Sequence, residues 1–176
     1  ELQLAIWGKD EREIMPAHLL HALQYNGAAL LGAFDGAKQV GFTLAILGTV
    51  EGLTERIDQV AAARLKMYSV IAGVLPEYRD AGVGYRLKMS QRDFALRIGV
   101  RLITWVYDPL ESRNGRFNIG KLGAVCGRYL RDFHGEMAGI NAGLPTDRGL
   151  RATGLVTATD RGALAAHMRF LAQELL

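Results

Sequence analysis

VLPEYRDAGVGY, Val74 to Tyr85, is the stretch from which the rest of the chain is best read. Before it stands Lys66 to Leu75 (KMYSVIAGVL), apolar and β-branched without a break, which predicts a central strand covered on both faces. Pro76 ends that run. After Gly82-Val83-Gly84, apolar side chains at Val83, Leu87, Phe94 and Ile98 recur at helical spacing, with Arg86, Lys88, Arg92 and Arg97 between them as a solvated face. That helix ends at Gly99. A strand therefore passes through a glycine-bearing, arginine-flanked loop directly into a helix. The first amides of a helix have no partner within it, and the helix dipole adds positive potential, so such a place suits phosphates. Gly82 and Gly84 allow close approach of a ligand to the backbone, and Arg79 supplies a charge for phosphate oxygens.

Two familiar phosphate loops fail on residue grounds. A nucleoside-triphosphate loop needs lysine and then serine or threonine after its last glycine, but Gly84 is followed by Tyr85-Arg86. A dinucleotide fingerprint needs a third glycine three residues beyond Gly84, and that position is Leu87.

Outward from the loop, the pattern predicts a helix over Pro16–Tyr25, with proline in the first turn and Asn26-Gly27 as its stop. Ala28–Phe34 and Val40–Leu47 read as antiparallel strands joined by Asp35-Gly36-Ala37-Lys38. Gly48 to Arg64 has no clean period and stands open as a loop, a short helix or a substrate-facing insertion. Arg101–Tyr107 (RLITWVY) is a further strand, Asn114–Leu122 a helix stopped by Gly123, and Ala124–Leu130 another strand. Asn141 to Thr159 is rich in glycine, threonine and proline, and Arg161–Leu176 resumes a helical pattern. This order predicts a mixed sheet flanked by helices.

At 176 residues the chain is expected to form one domain. Its hydrophobic share of 49% and charged share of 22% are those of a globular protein and argue against disorder. The net charge of +3 suits anionic ligands, while the absence of a lysine-arginine run argues against nucleic acid as a partner. A single cysteine, Cys126, precludes an internal disulfide and fits a reducing compartment, so the cytoplasm is the expected location. No apolar run is long enough to cross a bilayer, so no membrane partner is expected. The chain starts at Glu1 rather than methionine, which suggests numbering that begins inside a longer protein or after trimming, with an initial element then expected to be missing. Exposed sheet edges raise the expectation of a homodimer.

Val74-x-Pro76-x-Tyr78-Arg79-x-x-Gly82-x-Gly84, with the strand before it, resembles the coenzyme A signature of the GNAT acyltransferase superfamily. The resemblance continues through TWVYDPLESRNGRFNIGKLGAV, Thr104 to Val125, and through Ile140 to Arg148, where it is similar to a poorly characterised GNAT branch; together it spans roughly Trp7 to Arg148. It implies an α+β fold with a mostly antiparallel central sheet whose fourth and fifth strands splay apart, here Lys66–Leu75 and Arg101–Tyr107. It further implies acetyl-CoA or another acyl-CoA as cosubstrate, without a metal. Gly73 and Val74 would pair with the pantetheine arm, and amides of Arg79, Asp80, Ala81, Gly82, Val83, Gly84 and Tyr85 would hold the pyrophosphate. Asn114 would lie beside the same arm.

The implied activity is transfer of a short acyl group to an amine, expected to belong to a small molecule such as an amino acid. Such transfer needs a neutral nucleophile, a polarised thioester carbonyl and a proton for the departing thiolate. The superfamily often carries a tyrosine acid four residues before the glycine that closes the last helix, but counting back from Gly123 gives Ile119. Tyr107, Tyr68 and Tyr129 are the remaining phenols, and Asp108 and Glu111 the carboxylates placed to meet an amine. The sequence does not choose among the three phenols; Tyr107 and Asp108 are named as catalytic candidates, with turn chemistry before Pro109 as the competing role for Asp108. His134 and Glu136 read as pocket or loop residues, His18 and His21 as helix surface, and Cys126 as buried packing. No serine or cysteine triad is legible. A non-catalytic acyl-CoA-binding module is the alternative that Ile119 suggests.

Overall fold

The computed structural model describes residues 1–8, 14–49, 65–126, 128–135 and 148–150. β1 (Ala29–Asp35) and β2 (Lys38–Thr49) form the expected antiparallel hairpin. Its turn places Gly36 at a φ of 57°, which a residue without a Cβ reaches at no steric cost. β2 pairs antiparallel with β3 (Leu65–Val74), and β3 pairs parallel with β4 (Ile103–Thr104). Among the described residues a second sheet joins β5 (Val106–Tyr107), β7 (Arg148–Leu150) and β6 (Arg128–Leu130), in that order.

α1 (Leu2–Trp7) precedes α2 (Ala17–Tyr25), and α3 (Val83–Arg97) packs across β1, β2 and β3. α4 (Ser112–Gly115) runs straight into a π-helical turn, Arg116–Lys121. One core cluster gathers Ile6, Val40, Phe42, Leu75, Val83 and Leu87, so α1, the hairpin and the start of α3 share it. A second, with Met67, Ala95, Val100 and Ile103, joins the far end of α3 to the start of β4.

Five expectations need correction, the first being the strand over Ala124–Leu130, of which Ala124 to Cys126 form no strand and only β6 is one. Arg101–Tyr107 is not one strand: it contributes two short strands to two different sheets. β3 is not covered on both faces, because Met67 and Ser69 are buried while Val70 and Ala72 are exposed. The inner line of α3 continues through Gln91 and Ala95 rather than Phe94 and Ile98, and Ile98 is exposed. The helix at Asn114–Leu122 starts earlier and widens into a π-turn, though Gly123 does follow it with a φ of 65°. α1 had no counterpart in the sequence reading. The helical pattern at Arg161–Leu176 lies outside the described residues.

Gly73 shows why α1 can seat where it does. A Cβ there would lie 2.5 Å from the Trp7 ring and 3.0 Å from Ile6, and Trp7 in turn packs edge-to-face on Phe42 at 5.7 Å. Gly73→Ala should therefore displace α1 and cost about 1–3 kcal/mol. Urea unfolding checks this; an unchanged midpoint would show that α1 is not packed as described.

Candidate active site

β3 holds β4 by two residue pairs, Met67 with Ile103 and Tyr68 with Thr104. Trp105 intervenes, and Val106 and Tyr107 then pair with β7 in the other sheet. From Ser69 onward the described residues supply no strand on that side of β3. The result is a wedge with its apex at Tyr68 and Thr104 and an open edge along β3 towards Val74. The Thr104 hydroxyl is buried at this apex with no hydrogen-bond partner among the described residues.

β3 also carries a bulge. Leu44 faces Ile71 and Ala45 faces Ser69, which leaves Val70 as the extra residue. Beyond it, the Leu75 N–H donates to the Val40 carbonyl at 2.9 Å. Alternation in an antiparallel ladder then turns the backbone groups of Ile71 and Gly73 towards β2 and those of Ala72 and Val74 into the wedge. Val74 thus turns its backbone groups into the wedge, while those of Gly73 are directed at Phe42 of β2.

The loop after β3 begins with a single 3₁₀ turn, Pro76–Tyr78. The Tyr78 hydroxyl donates to Asp35 at 2.9 Å and Lys38 Nζ to Glu77 at 3.1 Å, tying this turn to the β1–β2 connection. Asp80 and Gly82 both adopt left-handed backbone, at φ 66° and 76°. Gly82 is the N-cap of α3 and no side chain caps it; the Arg86 N–H bonds the Gly82 carbonyl at 3.0 Å as the first helical bond. The amides of Val83, Gly84 and Tyr85 precede that bond, at the positive end of a long helix. A Cβ on Gly84 would meet only Phe117 and Val74, each at 3.8 Å, so strand end, loop and π-turn converge there.

Other expected residues fall less directly. Arg79 is exposed, and its guanidinium reaches the Ile6 carbonyl at 3.5 Å. The Asp80 carboxylate pairs with Arg113 at 3.1 Å, so its side chain joins the loop to α4 and only its amide is available to an anion. Asn114 lies partly buried; its Nδ2 is 3.5 Å from the Asp108 carbonyl, and its own carbonyl accepts from Asn118 at 2.9 Å. Asp108 Oδ1 accepts the Leu110 N–H at 2.9 Å, which is the turn role. Tyr107 is buried beside Cys126, and burial with the Cys126 contact holds its phenol far up, so it stays protonated at any working pH. Burial also raises Tyr68, at the wedge apex. Ile119 is buried against Ala124, Cys126 and Trp105 as plain packing. His18 and His21 are exposed on α2, and His134 follows β6 in an exposed turn. Glu136 lies outside the described residues, and among those described no cluster of ligand side chains could hold a metal.

What the sequence reading missed is Lys88. Rather than lying on a solvated face, it is partly buried beneath the wedge apex: Nζ is 2.6 Å from Ser69 Oγ and 4.6 Å from the centre of the Trp105 ring. Trp105 is held in turn by Nε1 donating to Asn118 Oδ1 at 2.7 Å. Burial pushes the Lys88 ammonium down to about 7. A readable signal existed, because Gly84, Lys88, Gln91 and Ala95 share one helical line and the last two are buried. Gln91 continues the polar seam, donating to Thr43, whose hydroxyl bonds the Ile71 carbonyl beside the bulge. A cleft of about 240 Å³ is lined by Gly32, Phe34 and Val40 of the hairpin and by Val83, Arg86 and Ser90 of α3.

No family model matches the sequence, and neither does any curated protein. Solved structures do match. The ribosomal-protein-S18-alanine N-acetyltransferase from Escherichia coli superposes with a TM-score of 0.62 at 12% identity, covering 91% of this chain and 87% of its own. Arabidopsis thaliana NAA60 in complex with acetyl-CoA gives 0.61 at 18%, covering 83% and 88%. Chaetomium thermophilum Naa20 with a bisubstrate analogue gives 0.60 at 15%, covering 85% and 79%. The chain has the GNAT fold. The splay expected of that fold is the divergence of β3 from β5 around Trp105. No described helix is long and apolar enough to cross a membrane.

Proposed function

We propose that this chain is an acyl-CoA-dependent N-acyltransferase that moves a short acyl group to the amino group of a small molecule such as an amino acid. One observation carries the reading: the open backbone edge of β3 leads directly to a glycine N-cap whose helix amides no side chain caps. A pantetheine arm needs the first and a pyrophosphate the second. The chain's own parts fit the group: Gly84 leaves the loop backbone bare, Val74 turns its amide outward, and Arg79 is exposed nearby. Structures of the same fold hold acetyl-CoA, as NAA60 does, and the fold also serves protein acceptors, as the S18-alanine enzyme shows. A small-molecule acceptor is our reading from the sequence. The single buried Cys126 suits a reducing compartment such as the cytoplasm.

Coenzyme A should raise the thermal midpoint by several degrees at a hundredfold excess over its Kd, since ligand binding adds about 2.7 kcal/mol there. No shift with coenzyme A, acetyl-CoA or succinyl-CoA would sink the proposal. A second reading, a binding module without turnover, is favoured by the packing role of Ile119 where an acid often stands. Tight binding without thiol release across a broad panel of amines would establish it.

A further inference from the structure

The loop between β3 and α3 carries two carboxylates, Glu77 and Asp80, which is the wrong charge for a loop that receives a pyrophosphate. Each is answered by a cation from another element: Glu77 by Lys38 of β2 and Asp80 by Arg113 of α4, both at 3.1 Å. Glu77 stands in the 3₁₀ turn on the hairpin side of the loop. Asp80 is the nearer to the helix amides, two residues before the Gly82 N-cap, and adopts left-handed backbone at φ 66°. Asparagine also tolerates that backbone and brings no charge, so conformation alone does not account for an acid here. What the acid adds is the pair with Arg113, which directly precedes Asn114. The Asp80 and Arg113 side chains are 87% and 54% exposed, so the pair lies open to solvent and contributes little to folding.

We propose that Arg113 is a charge shield for this loop: it holds the Asp80 carboxylate towards α4 and cancels it, so that the amides of Val83, Gly84 and Tyr85 present positive potential to a pyrophosphate. The proposal rests on the acyl-CoA reading above and adds a positioning pair to it; neither side chain takes part in the transfer. Without Arg113 the uncovered carboxylate shares one loop with two phosphates. Like charges at that range, partly screened by water and salt, repel strongly enough to change affinity several-fold. The two members of the pair therefore have opposite effects on the ligand: loss of the cation weakens binding, and loss of the acid does not. Removing the acid should also help a protein that lacks Arg113 more than it helps the parent, because only there is the carboxylate uncovered.

Calorimetric titration of coenzyme A into the full chain and its variants tests this. Arg113→Gln should weaken binding by about fivefold or more, and Arg113→Lys, which keeps the charge, should recover most of that loss. Asp80→Asn should bind at least as tightly as the parent; added to Arg113→Gln, it should bring affinity back to within about twofold of the parent. Raised salt should narrow the gap between Arg113→Gln and the parent, which a packing role would not do. With both positions exposed, the ligand-free thermal midpoints should stay with the parent's. An Arg113→Gln protein that binds like the parent overturns the shield. So does a loss that Asp80→Asn fails to recover, which would make Arg113 a direct ligand of the phosphates. A parent that does not bind coenzyme A overturns the acyl-CoA reading, and the shield with it.

Discussion

Replacing Lys88 by methionine is expected to raise the thermal midpoint at pH 7. A lysine whose amine is held at about 7, against an ordinary value of 10.5, makes folding less favourable wherever the unfolded chain would carry the proton. Below pH 7 both states are protonated and the cost is complete. From pH 7 upward the folded protein has shed its proton and the unfolded chain has not, so the cost shrinks and stability climbs towards pH 10. Methionine fills a similar volume without a charge to desolvate, and the unpaired Ser69 hydroxyl returns about 1 kcal/mol of the gain. A net stabilisation of about 2 kcal/mol is expected at pH 7, narrowing as pH rises. Chemical denaturation of both proteins between pH 7 and 9 measures it. That window stays below the range where Tyr107 acts in the opposite sense: a phenol held high when folded contributes stability that disappears only above about pH 10. A constant difference between the two proteins across the window would show that Lys88 does not titrate there.

Gly82→Val is expected to cost most at the ligand. Its φ of 76° places a β-branched residue in left-handed backbone, a strain of about 1–2 kcal/mol, and relief by rotation would re-aim the amides of Val83 and Gly84. Affinity for coenzyme A should fall more than tenfold, equivalent to upward of about 1.4 kcal/mol. Gly82→Asn separates the causes, since asparagine tolerates left-handed backbone and nothing lies within 4 Å of a Cβ at this position. The asparagine variant should keep the fold and retain most of the affinity. Calorimetric titration of both variants reads the difference; equal affinity in Gly82→Val and the parent would show that these amides do not hold the pyrophosphate.

Much of the frame was legible in the sequence because it is written in local chemistry. Gly36, Gly82, Gly99 and Gly123 each fall at a positive φ, and each marks an element boundary that composition announces. The hairpin and α3 follow from period and turn residues. The break at Trp105 was not legible, because RLITWVY is uniformly apolar and its division depends on β7, which comes from the distant Arg148–Leu150. Register is likewise a property of two strands, so the bulge at Val70 could not be read from β3 alone. Lys88 was misjudged for a related reason. Its charge suggests water, and only Ser69 and Trp105, brought over it by the sheet, make its surroundings dry. Asp108 and Gly73 carried the right residue types in the right neighbourhood, and local bonding to Leu110 and β2 accounts for each.

Among the described residues the edge of β3 from Ser69 to Val74 has no partner strand, which is a hazard. An open strand edge is a template on which another chain can add itself, and soluble proteins blunt such edges with charge, proline or cover. Residues 69–74 carry no charge and no proline. On the acyl-CoA reading proposed above, a pantetheine arm along that edge would cover it, so the ligand-free protein is expected to be the form more exposed to self-association.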